Sequence, residues 1–167
     1  MKGPEEAVRE HVVKMLGWSD AHLSFDEVLR DWPVKLRGVK PRGAAPRLRS
    51  GQAHTAWQLV EHLRIAQWDI LEFSRNPKHV SPEFPSGYWP RTDAPPDAAA
   101  WDQSLEAFRG DLRAMQKLVE DPKTDLFAPI PHGDGQTILR EALLVADHNA
   151  YHLGQLVLLR RLLAVKA

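Results

Sequence analysis

The chain has 167 residues, no cysteine, and 22 basic side chains balanced by 22 acidic ones. Disulfides, thiolate metal ligands and a cysteine nucleophile are thereby excluded, and a formal charge of zero offers no general field for attracting nucleic acid or an anionic membrane. The length suits a single domain, 1–167, with a core of its own.

The opening Met-Lys-Gly-Pro-Glu-Glu-Ala-Val-Arg-Glu is charged and lacks the apolar stretch of a secretory signal. No later apolar run approaches membrane-spanning length, so a cytoplasmic protein is the simplest expectation. Thirteen prolines and ten glycines fall mainly in three places, 33–51, 77–96 and 122–135, where they punctuate long helical stretches.

From Glu5 to Leu16, Val8, Val12, Met15 and Leu16 recur at helical spacing and Gly17 closes the run, which predicts a first helix. Ser24 followed by Glu27 reads as a capping box opening a short amphipathic segment through Phe25, Val28, Leu29 and Trp32, ended by Pro33. The stretch 33–51 mixes Lys35, Arg37, Lys40, Arg42, Arg47 and Arg49 with prolines and glycines, the pattern of a solvated basic loop.

From Ala53 to Ser74, Leu59, Leu63, Ala66, Ile70 and Phe73 form one apolar stripe that the Asn76-Pro77 step stops, giving a second long helix. A third begins near Asp97 and carries Trp101, Leu105, Phe108, Leu112, Met115 and Val119 in strict three-four alternation up to Asp121-Pro122. The last runs from about Thr137 to Val165. Apolar residues occupy so much of its circumference that it is either central or meets a second subunit. No period-two segment stands out, so the class is all-α. About twenty residues separate the second and third long helices, enough to cross the length of a bundle, so these two are expected to run parallel.

The last helix is apolar except in its middle, where Asp147, His148, Asn149, His152 and Gln155 interrupt it. Buried polar groups persist where they bond to one another, to water or to a ligand, because leaving them unpaired costs roughly 1–3 kcal/mol. His148 and His152 are four residues apart and so share a helix face, where two imidazole nitrogens can converge on one ion. Chance gives about 0.4 such spacings in a chain with this many histidines, so the pair gains meaning only from its context. Asn149 follows His148 where the zinc-protease signature has glutamate, which sets a metalloprotease aside. His62 lies three residues after Leu59 and four before Ala66, on the inward stripe, and is the third ligand candidate. Two ligands from one helix and one from another leave further positions for water or substrate, as catalytic sites do.

His11, His22, His54 and His79 lack a comparable partner and read as surface or boundary residues. His132 reads as a turn residue, with Asp134 capping the last helix. Most of the six tryptophans read as core. The string Phe84-Pro85-Ser86-Gly87-Tyr88-Trp89-Pro90 is an aromatic, proline-stiffened loop able to wall a pocket. Asp147 and Gln155 are candidates to orient the ligands, and Arg47 and Arg49 to neutralise carboxylates of a cosubstrate.

Trp-Gln-Leu-Val-Glu-His-Leu at 57–63 and Ala-Asp-His-Asn-Ala-Tyr-His-Leu-Gly-Gln at 146–155 resemble the two signature regions of the DinB-like family, also called DinB/YfiT-like metalloenzymes. The resemblance implies an up-down-down-up four-helix bundle, often a homodimer. It also implies a zinc or nickel ion held by His62, His148, His152 and water. For activity it implies thiol S-transfer with bacillithiol, mycothiol or glutathione, or a hydrolase or isomerase reaction on a small molecule. The rival expectation is a non-enzymatic, possibly stress-related helical dimer with a structural metal or none. The broken N-terminal helix and the basic loop depart from the family pattern where substrate selectivity varies.

Overall fold

The computed structural model describes residues 3–17, 21–41 and 53–164. These residues form five α-helices, α1 (Pro4–Gly17), α2 (Phe25–Leu29), α3 (Ala56–Arg75), α4 (Ala100–Glu120) and α5 (Ile138–Leu162), with 3-10 turns at Val34–Leu36 and Ser86–Tyr88. Among the described residues there is no strand, and Pro129 and Thr137 make one isolated bridge. The all-helical class expected from the periodicity is what folds.

Helix boundaries follow local capping chemistry. The Ser24–Glu27 capping box forms in both directions, and α2 then stops at Leu29, before Asp31 turns to φ 52°. The sequence reading carried this segment to Trp32, which is buried but lies past the break. Helix α3 opens three residues later than the pattern suggested, because Thr55 and Gln58 form a second capping box: each side chain accepts the other's backbone N–H at 3.1 Å. Helix α4 starts at Ala100, later than the expected start near Asp97: its N-cap is Ala99, with no side-chain cap bond of its own, and Asp97 braces the preceding turn, its Oδ1 accepting from Ala99 N and Ala100 N. The cap of α5 is Thr137, whose hydroxyl accepts from Arg140 N, and not Asp134. Asp134 sits in the preceding turn, one residue before Gly135 at φ 99°, the left-handed region that glycine enters without a Cβ penalty.

Side-chain bonds give the register between helices. Glu61 of α3 meets Ser104 of α4, and Gln67 meets Phe108, so residue numbers rise together along this pair. Between α3 and α5 they run oppositely, from His62 with His152 to Gln67 with Asn149. On α1, Arg9 donates to the carbonyls of Val119, Asp121 and Thr124, occupying acceptors that the C-terminus of α4 leaves open.

Two apolar clusters fill the interior. One gathers Phe25, Trp32, Trp57, Trp101, Phe108 and Leu156; the other gathers Leu16, Leu71, Met115, Val119, Leu126 and Val145. Each fully buried side chain of this size contributes about 1.5–3 kcal/mol by leaving water. On α3 the first cluster ends at Leu63 and the second starts at Leu71; on α5 they meet between Leu153 and Ala146. The interval holds buried Gln67 and Asn149, and three histidines stand beside it. Helix α5 is not covered all round: Leu143, Tyr151, Leu158 and Leu162 face outward. No helix among the described residues is long and apolar enough to cross a membrane.

Candidate metal centre

His62 lies on α3, His148 and His152 one turn apart on α5, and the antiparallel register brings all three side chains together. His62 Nε2 is 3.1 Å from His152 Nε2 and 3.1 Å from His148 Nε2. Ligand nitrogens at about 2.0–2.1 Å from a shared ion stand about 3.3 Å apart at the tetrahedral angle and about 2.9 Å apart at a right angle. The two separations from His62 fall between these values, and the three ligand nitrogens all lie within 4.8 Å of one another, so these residues could hold one ion.

The outer nitrogens of two of the rings are engaged. Nδ1 of His62 donates to the Tyr88 carbonyl at 2.9 Å, and Nδ1 of His152 faces Gln155 Oε1 at 3.2 Å. A carbonyl only accepts, so the proton of His62 sits on Nδ1 and its Nε2 presents a lone pair to the other two histidines. Nδ1 of His148 has no hydrogen-bond partner among the described residues.

Burial sets the protonation of the cluster. It lowers His62 to about 4, helped by His148 and His54 and opposed by the Tyr88 carbonyl. His152 is likewise lowered to about 4 by burial and then by His148 and His62, with Gln155 opposing. His148 shifts the same way, mainly through burial, against the electrostatic pull of the Asn149 side chain and Asp147. At neutral pH the three rings are therefore unprotonated, and the Nε2 lone pair of His62 faces Nε2 of both other rings at hydrogen-bond distance, the place a cation would occupy in exchange for a shared proton.

The crossover between α3 and α4 supplies a wall that the sequence only hinted at. Trp89 stacks flat on His62, ring centroids 3.9 Å apart and planes at 2°, and also stacks with His54, at 4.1 Å and 14°. His54 thus belongs to the surroundings of the site and is no bystander. His79, also read as a surface or boundary residue, has a buried side chain bonded to Asp69 at 2.7 Å. No periodicity marks either residue, since both contacts depend on how the crossover folds back. His11 and His22 are exposed, as expected. His132 bonds the Phe73 carbonyl at 2.7 Å in the turn before α5, away from the cluster.

Of the two orienting candidates, Gln155 bonds a histidine of the cluster and Asp147 does not. Asp147 is exposed and lines a groove of about 490 Å³ with His11, Lys14, Met15 and His22, on another face of α5. That groove is not lined by any of the three clustered histidines. Beside Gln155 and His54 opens a pocket of about 250 Å³ with an apolar lining that includes Leu59, Leu158 and Leu162. Arg47 and Arg49 lie outside the described residues.

A family model described as the DinB superfamily matches residues 17–156, which include the three clustered histidines, the crossover, α3, α4 and most of α5. Neither the curated proteins nor the solved structures contain a match to this chain.

Proposed function

This chain belongs to the DinB superfamily, and from that premise we propose that it is a metal-dependent enzyme holding one divalent ion, zinc or nickel, on His62, His148 and His152. The observation that carries the reading is the convergence of three unprotonated imidazoles, with Nε2 separations of 3.1 Å. The chain is read as a single domain in an up-down-down-up four-helix bundle of α1, α3, α4 and α5. The rising register of α3 with α4 and the opposed register of α3 with α5 support this topology.

Bound there, the ion supplies Lewis acidity and lowers the pKa of a bound water or thiol toward neutrality. The chain's own residues prepare the place. Tyr88 fixes the tautomer of His62, Gln155 holds His152, and Trp89 shields the His62 ring from water. Three protein ligands leave at least one position for a reactant, the usual arrangement of a catalytic ion.

We assign thiol S-transfer, or hydrolysis, of a small molecule. With no cysteine in the chain, any thiol is a cosubstrate brought from outside. The apolar pocket of about 250 Å³ suits a small uncharged substituent. A homodimer through the outward face of α5 accounts for the exposed Tyr151, Leu158 and Leu162.

The test is metal analysis of protein purified without an affinity tag, followed by a screen of low-molecular-weight thiols against electrophiles. One equivalent of metal, lost in a folded His148→Ala variant together with turnover, supports the reading. Metal whose removal unfolds the chain, or no metal and no turnover, supports a non-enzymatic bundle instead.

A further inference from the structure

Asp69 stands on α3 seven residues after His62, two turns along the same face. Its carboxylate is buried, a costly state unless its oxygens are bonded, and both are. Oδ1 is 2.7 Å from His79 Nε2, and Oδ2 accepts the Tyr88 hydroxyl at 2.6 Å. Tyr88 therefore touches α3 at two heights, its phenol on Asp69 and its carbonyl on Nδ1 of His62. The next residue, Trp89, lays its ring on the same imidazole. Both fixed points of the His62 ring, one polar and one apolar, come from this single turn of the crossover.

We propose that Asp69 and Tyr88 are positioning residues for His62, holding the crossover so that its carbonyl and indole fix the tautomer and plane of that imidazole. Their effect on metal affinity rests on the reading of His62 as a ligand; their effect on the tautomer does not. Burial and Asp69 raise the Tyr88 phenol to about 12, so it stays a hydrogen-bond donor throughout the neutral range. The pairing of Asp69 with His79 leaves the carboxylate satisfied on its other side. Residues that support metal ligands in this way change affinity about 10- to 100-fold when replaced.

Tyr88→Phe removes only the hydroxyl, and Asp69→Asn keeps the shape while changing the acceptor. Two measurements apply to each variant: nitrogen NMR of the imidazoles in metal-free protein at about pH 8, where neutral histidine shows its tautomer, and zinc affinity by competition with a chromogenic chelator. Wild type is expected to show His62 wholly as the Nδ1–H form, and both variants a mixture, with zinc bound about 10- to 100-fold more weakly. Thr92→Val, which loosens the same crossover where Thr92 receives the Trp57 indole N–H, is expected to leave the tautomer unchanged. An unaltered His62 tautomer in Tyr88→Phe, or an equal change in Thr92→Val, overturns the proposal. If wild type takes up no zinc, the reading of the function fails separately, and the tautomer measurement alone decides this one.

Discussion

The two apolar clusters and the polar layer between them are built from neighbouring turns of the same helices, yet they obey different rules. In the clusters, Trp101, Phe108, Met115 and Leu156 are almost fully buried and packed against their own kind. In the layer, Gln67 is equally buried but bonds outward to Phe108 O on α4 and Asn149 on α5. The histidines beside it turn their outer nitrogens to Tyr88 and Gln155 and their Nε2 atoms toward one another. Apolar packing gives stability through area removed from water, whereas buried polar groups mainly avoid a penalty by being paired. The clusters are therefore read as the main source of stability, and the layer as a set of polar groups that must stay paired.

That contrast can be broken by substitution. Phe108→Ala, within the aromatic stack with Phe25, is expected to lose about 3–5 kcal/mol in chemical denaturation. A loss below about 1 kcal/mol, within the range of a surface substitution, would mean the cluster does not hold the fold.

Acid should reveal the opposite behaviour in the layer. The unfolded chain titrates its histidines near 6.5, while folded His62 and His152 titrate near 4, so between these values the unfolded state binds more protons. Through these two rings, stability of the metal-free protein is then greater above pH 6.5 and declines as pH falls toward 4. In His62→Ala the decline should be shallower, because His62 no longer titrates and its protonated form no longer repels a proton on His152. Denaturation midpoints across that range measure both slopes, and identical slopes would show that the burial of His62 is not what depresses its protonation.

Gln67→Ala removes the bonds from Asn149 and to the Phe108 carbonyl and should cost about 1–3 kcal/mol, although it leaves every histidine in place. Thermal melts that match wild type would remove the layer from the stability account. The smallest effect is expected at Gln155→Ala, where loss of the bond to His152 should weaken metal binding about 10-fold with little change in melting. Equal affinity in the variant and wild type would leave Gln155 no orienting role.

The helices were legible because period and capping agree: the stripes at 59–73 and 101–119 and the box at Ser24 correspond to α3, α4 and the start of α2. Boundaries slipped where a stronger local bond intervened, as at Thr55 and Thr137. His62, His148 and His152 could be picked out because polar residues on an apolar stripe are costly and conspicuous. Trp89 was legible only as part of the aromatic loop expected to wall a pocket, and His54, Asp69 and His79 not at all, because their contacts span the crossover and leave no spacing to read. Asp147, next to His148 in the chain, points to another face of the helix. Proximity in sequence misled there, and helical geometry decided.

X-ray absorption of the zinc-loaded protein tests the central claim most directly. Three nitrogen neighbours of imidazole type at about 2.0–2.1 Å in wild type, with loss of the bound ion in a His62→Ala protein that stays folded, is the predicted result. A zinc spectrum without imidazole scattering, or one that His62→Ala leaves unchanged, would contradict it.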